Sequence, residues 1–249
     1  MRVLVLGGTG EARALAARLV DSGDRVVSSL AGRVSDPALP VGEVRTGGFG
    51  GVPGLVEHLL EHGYGVVVDA THPFATGITG NAVAACAQAG IPLVRLQRPG
   101  WSNHPLASAF VWVDDVPAAR VAAERLGVRP FVTTGRQQLD EFAAWDDRYV
   151  LARVVDPPGW EVPSSWEVLR ARGPHPYAVE RELLESRAID VLVTKDSGGP
   201  LTEAKLAAAG DLGVPVVVVR RPPLPQGVRV VETVDDALHA VRTDGGHSP

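Results

Sequence analysis

Short unbroken apolar runs, each closed by glycine or a polar cluster and followed by residues at helical spacing, recur along this chain and leave few folds open. Val3-Leu4-Val5-Leu6 is the first, ended by Gly7-Gly8; Ala12, Leu15, Ala16 and Leu19 then mark a helix that Gly23 closes. A run without polar alternation suits a strand covered on both faces, as in a parallel sheet between helical layers. The same reading predicts strands at Arg25–Ser29, Gly65–Val68, Leu93–Leu96, Phe131–Thr133, Tyr149–Val154, Ile189–Val193 and Val216–Val219. It predicts helices at Val52–His62, Thr76–Ala89, Pro117–Leu126, Gln137–Trp145, Tyr177–Ser186, Thr202–Ala209 and Val234–Val241, with a polar, frayed tail from Thr243. Alternating strands and helices specify a doubly wound α/β fold.

A weak internal repeat suggests that the fold is made twice. Gly90-Ile91-Pro92 leads through an apolar run to Arg98-Pro99, and Gly213-Val214-Pro215 leads through another to Arg221-Pro222, with the same offset of eight residues from Gly to Arg. Any helix-to-strand turn can use Gly-x-Pro, so chance similarity is the competing explanation. The expectation is two Rossmann-like parallel-sheet halves with a cleft between them: a nucleotide-binding α/β domain over 1–105 and a second α/β domain over 106–249.

Composition narrows the function. The 249 residues are 45% hydrophobic, enough for a good core, and the net charge of −5, without basic runs, argues against nucleic acid. No apolar run approaches the roughly 20 residues of a membrane span, and the N-terminal run is too short for a signal peptide. A cytoplasmic protein is expected. Cys86, the sole cysteine, lies among alanines and reads as packing more readily than as a reactive thiol. The histidines, His247 included, are scattered without metal-ligand spacing, so no metal is expected.

Chemistry gathers at the strand ends. Gly7, Gly8, Thr9, Gly10 and Glu11 join the first strand to the first helix; glycines there admit a pyrophosphate at a helix N-terminus, although the spacing departs from G-x-G-x-x-G and a tight structural turn would look the same. After the second strand come Ser29 and Arg33 with no acid, which favours the 2′-phosphate of NADP over the 2′-hydroxyl of NAD. Gly47, Gly48, Gly50 and Gly51 surround Phe49 in a loop suited to a large flat or anionic ligand, with Phe49 as a stacking face. His72, in Asp69-Ala70-Thr71-His72-Pro73-Phe74-Ala75, is a candidate proton donor, or else a strand-end histidine that bonds backbone. Arg33, Arg95, Arg98, Arg136, Arg153 and Arg221 stand near strand ends, an arrangement that suits a polyanionic ligand although each alone could serve a surface ion pair.

These motifs, in this order and across about the whole chain, resemble the precorrin-6A reductases of cobalamin biosynthesis. The likeness is carried by Gly7 to Arg13, Ser29 to Arg33, Gly47 to Gly51, Asp69 to Ala75, Arg98-Pro99 with Trp101, and Thr134-Gly135-Arg136. The resemblance implies NADPH-dependent reduction of one double bond of a corrin precursor, giving precorrin-6B. On that reading NADPH lies on Gly7–Glu11 with its 2′-phosphate near Ser29 and Arg33. The macrocycle lies across Gly47–Gly51 and the Asp69–Phe74 strand end, and Thr71, Arg98, Arg136, Lys195 and Ser197 also contact it. His72 is the first candidate for the proton, with Asp146 or solvent as alternatives. Substrate would arrive from neighbouring pathway enzymes. Two rivals remain open: a non-catalytic nucleotide- or tetrapyrrole-binding protein, and a tetrapyrrole methyltransferase using S-adenosylmethionine.

Overall fold

The computed structural model describes residues 1–32 and 37–245; Arg33 and His247 therefore lie outside the described residues. In chain order the elements are β1 (Arg2–Leu6), α1 (Gly10–Asp21), β2 (Arg25–Leu30), β3 (Glu43–Thr46), α2 (Gly51–His62), β4 (Val66–Asp69), α3 (Thr76–Ala89) and β5 (Leu93–Leu96). They continue with β6 (Val111–Val113), α4 (Val116–Glu124), β7 (Pro130–Val132), β8 (Val150–Val154), β9 (Trp166–Arg170), α5 (Tyr177–Ser186), β10 (Val191–Lys195), α6 (Ala204–Asp211) and β11 (Val216–Val219). β12 (Arg229–Val231) and α7 (Val234–Asp244) complete the described chain.

Two six-stranded sheets result, ordered β3-β2-β1-β4-β5-β12 and β9-β8-β7-β10-β11-β6, with every pairing parallel. Both follow one plan. In the first, β1 is central, with β2 and β3 to one side and β4, β5 and β12 to the other; in the second, β7 is central, with β8 and β9 to one side and β10, β11 and β6 to the other. The unbroken apolar runs have the expected cause. Val3 and Val5 of β1 pack with Leu15, Leu19 and Val241 on one face, while Leu4 and Leu6 pack with Leu55, Leu59 and Ala85 on the other.

The division of the chain differs from a cut near residue 105. One compact unit is Met1–Arg98 together with the segment from Pro222; the other is Pro99–Arg221. The chain changes unit at both Arg-Pro pairs of the sequence repeat. After β5 it supplies β6 to the edge of the second sheet, beside β11. After β11 it supplies β12 to the edge of the first sheet, beside β5, and α7 then packs against α1. The first sheet thus takes its outer strand β12 from beyond both crossings, whereas β6 belongs to the same uninterrupted segment as the rest of the second sheet; both pairings are set by backbone hydrogen bonds that side-chain patterns do not encode.

Gln137–Trp145 also departs from the helix expected there. It forms two 3₁₀ turns, Arg136–Gln138 and Asp140–Phe142. The buried residues explain the choice: Leu139, Phe142 and Trp145 fall every third position, the period of a 3₁₀ helix.

Candidate active site

In the first unit the connections after β1 and β4 run to opposite sides of the sheet, which opens a crevice at the carboxyl ends of these two strands. The two strongest sequence motifs meet there. Thr9 caps α1: its Oγ1 accepts the Ala12 N–H at 3.1 Å and donates to the Ala70 carbonyl at 2.7 Å, so one hydroxyl ties the β1 turn to the β4 turn. Gly8 adopts φ +112°, and a Cβ on it would meet nothing within 4 Å. The turn needs glycine for its conformation, and the backbone there borders open space suited to a phosphate at the α1 N-terminus. Thr9, Glu11, Thr71, Pro73, Gln97 and Arg98 line a shallow recess. The Glu11 carboxylate would oppose an anion, but Arg98 Nη1 pairs with it at 2.8 Å.

Asp69 is wholly buried and builds the β4 end. It accepts the Thr71 N–H at 3.1 Å, the Thr71 hydroxyl at 2.7 Å and the Thr79 hydroxyl at 2.6 Å, and Arg95 Nη1 pairs with it at 2.7 Å. Thr71 Oγ1 also accepts from Arg95 at 3.0 Å. Arg95, expected among the ligand-facing arginines, is instead 1% exposed and structural, and the Thr71 hydroxyl is held by this network although Thr71 lines the recess. His72 follows, half-buried. Its Nδ1 accepts the Phe74 N–H at 3.3 Å, which assigns the proton of the neutral ring to Nε2. Cys86 is buried, and its thiol is pushed up to about 12 by burial and by Asp69, which suits packing.

Beyond β2 lies a residue that sequence reasoning missed. The register sets Ser29 opposite Arg45 of β3. Arg45 Nη1 donates to Ser29 Oγ at 2.7 Å and to the Gly47 carbonyl at 3.1 Å, and Nη2 donates to the Gly48 carbonyl at 3.1 Å. Its guanidinium stands 3.8 Å over the Phe49 ring. Phe49, expected as a stacking face for a ligand, instead packs against the core under α2 with Arg45 on one face. Only the recognition of β3 could have found Arg45, and its short polar sequence conceals the strand. Gly47, Gly50 and Gly51 have positive φ and serve the loop's conformation, whereas Gly48 does not, and a Cβ on it meets nothing within 4 Å.

The second unit repeats the switch point between β7 and β10. The Thr133 N–H donates to the Val193 carbonyl at 2.8 Å, which aligns the Thr134-Gly135-Arg136 turn with Lys195 and Ser197 at the neighbouring strand end. Lys195 is half-buried, and burial lowers its ammonium to about 8. Arg153 and Glu180 form a buried, doubly hydrogen-bonded pair, so Arg153 too is structural. Asp146 stands apart: it is exposed in the turn before β8, at the amino edge of the sheet, while Arg136, Lys195 and Ser197 lie at the carboxyl edge. That placement removes the reason for giving it the proton.

The family model described as Precorrin-6x reductase CbiJ/CobK matches residues 2–242. The chain belongs to the precorrin-6x reductase family. A precorrin-6A reductase of Rhodococcus erythropolis is 52% identical over 241 residues, covering 96% of each chain. One from Mycobacterium tuberculosis (strain CDC 1551 / Oshkosh) is 48% identical over 236 residues, covering 95% of each. A solved structure, CobK precorrin-6A reductase, superposes with a TM-score of 0.90 at 40% identity and covers 100% of this chain and 98% of its own. The two parallel sheets are thus the fold of the precorrin-6x reductase family. Among the described residues no helix is long and apolar enough to cross a membrane.

Proposed function

We propose that this chain reduces precorrin-6A to precorrin-6B with NADPH. As a member of its family it is an oxidoreductase of cobalamin biosynthesis that acts on a C=C bond of the macrocycle. The observation that carries the cofactor assignment is the β1 switch point, where an open glycine turn, a threonine cap and a helix N-terminus coincide. NADPH supplies the hydride for one ring carbon.

The chain's own residues supply position and a proton. Gly7–Glu11 receive the pyrophosphate and Ser29 faces the 2′-phosphate, with Arg33 assigned to it from the sequence alone. Arg98 neutralises Glu11 there and stands ready for a substrate carboxylate. Gly47–Gly51 and the Thr71–His72 turn of the first unit border the macrocycle; Arg136, Lys195 and Ser197 of the second unit are groups of the kind that bind carboxylates. His72 delivers the proton from Nε2; its acid form is the imidazolium, whose formation replaces the Phe74 N–H bond. The reaction is placed in the cytoplasm, with precorrin-6A received from neighbouring enzymes of the pathway.

The test is purified protein with precorrin-6A and deuterated NADPH. The reading requires NADPH oxidation, one deuteron on a ring carbon of the product, and at least about tenfold preference for NADPH over NADH. Arg33→Ala should narrow that preference by weakening NADPH alone. A chain that binds both molecules without turnover would be a carrier instead, and the proposal would fall.

A further inference from the structure

On the reading that the first unit holds NADPH, we infer that Arg45, with Ser29, recognises the 2′-phosphate of its adenosine ribose. The position follows from topology. In a sheet of this order the adenosine ribose meets the end of the second strand, and β3 is the strand beyond it. The register brings Arg45 directly opposite Ser29 at those two strand ends.

The side chain is held ready. Ser29 Oγ and the Gly47 and Gly48 carbonyls take three of its five N–H donors, and the Phe49 ring backs its plane. All of these partners are neutral. Among the described residues no carboxylate lies within ion-pair distance of Arg45, whereas Arg2, Arg95, Arg98 and Arg153 each have one. Part of the guanidinium is withdrawn from water, which disfavours its charge unless an anion compensates it. A phosphate dianion offers that compensation and can accept both remaining donors, the geometry in which arginine binds phosphate best. The same guanidinium fixes two carbonyls of the glycine loop, so an anion bound there would also hold the loop.

Calorimetry with 2′,5′-ADP and 5′-ADP tests this without turnover. Wild-type protein should bind 2′,5′-ADP at least about tenfold more tightly, a difference of about 1.4 kcal/mol. Arg45→Gln removes the charge but leaves an amide to bond the loop carbonyls. It should narrow the gap at least about threefold, leaving any share that Arg33 supplies, while the 5′-ADP affinity and the thermal midpoint stay at wild-type values. Arg45→Lys should keep part of the gap, and added salt should narrow the wild-type gap. If the gap is undiminished in Arg45→Gln, the inference fails while the NADPH reading stands. If Arg45→Gln weakens both nucleotides equally, Arg45 only shapes the loop and the inference fails. If wild-type protein shows no gap, the inference and the NADPH reading fail together.

Discussion

Asp69→Asn isolates the charge of the network beneath the active-site turn. The substitution keeps shape. Asn can retain one oxygen for the Arg95, Thr71 N–H and Thr71 hydroxyl donors, and its NH₂ can donate to Thr79 Oγ1 once that hydroxyl rotates. What it cannot supply is the negative charge. Arg95, 1% exposed, would then have only neutral partners, namely the new amide oxygen, Gln97, the backbone carbonyl of residue 69 and Thr71. Breaking a buried pair on one side costs about 3–5 kcal/mol, a large share of a total stability of about 5–15 kcal/mol. For a chain of this size that lowers the melting temperature by roughly 6–20 °C. All five tryptophans lie in Pro99–Arg221, so their fluorescence reports the second unit, whereas circular dichroism reports both. The dichroism transition should therefore fall below the fluorescence transition, and adding Arg95→Met should recover much of the loss. If the loss is below about 1 kcal/mol, the range of a solvated surface pair, the network is not the buried one described.

Other substitutions separate function from framework. Gly48→Val should raise KM for precorrin-6A, or abolish turnover, with unchanged melting and NADPH affinity, because space and φ permit the side chain; a collapse of thermal stability would assign the loop to the fold alone. His72→Ala should lower kcat by at least about a hundredfold, within the usual range for a general acid, with NADPH binding retained, while Asp146→Asn leaves kcat near wild type; the reverse pattern in the same assay refutes the assignment. Lys205 is buried beside Arg153 and Glu180, and burial lowers its ammonium to about 7 from an ordinary 10.5. The unfolded chain then binds more protons between these two values, so stability should rise with pH across that window. Urea titrations of Lys205→Met should show that rise diminished, and an unchanged slope would contradict a depressed Lys205.

What the sequence revealed was whatever side chains encode. Val3–Leu6 and Val216–Val219 are apolar on both faces and read directly as buried strands. Gly8, Thr9 and His72 occur in distinctive turns and were found at strand ends, where the structure has them. The edge strands β3, β6, β9 and β12 were not, because each has only three to five residues and, Trp166 apart, no fully buried side chain, and their partners are chosen by backbone hydrogen bonding. Arg45 was missed for the same reason. Arg95 and Arg153 were misread because an arginine near a strand end gives no sign of whether a buried carboxylate faces it, and Asp69 and Glu180 lie 26 and 27 positions away in the chain.

The late return of the chain to the first sheet sets a timetable for synthesis. As the chain leaves the ribosome, β5 is made early but its outer edge waits for β12, which follows the entire second unit. The second sheet never waits in this way, because β6 is already present when β11 appears. The half made later can thus be completed sooner. Until the segment from Pro222 is translated, the nascent first half carries a row of unsatisfied backbone donors and acceptors along β5, a place where a second nascent chain could add a strand. A message truncated after Arg221 would yield a protein with its second sheet whole and its first sheet open, and such a product should be recognised by chaperones and proteases through that edge.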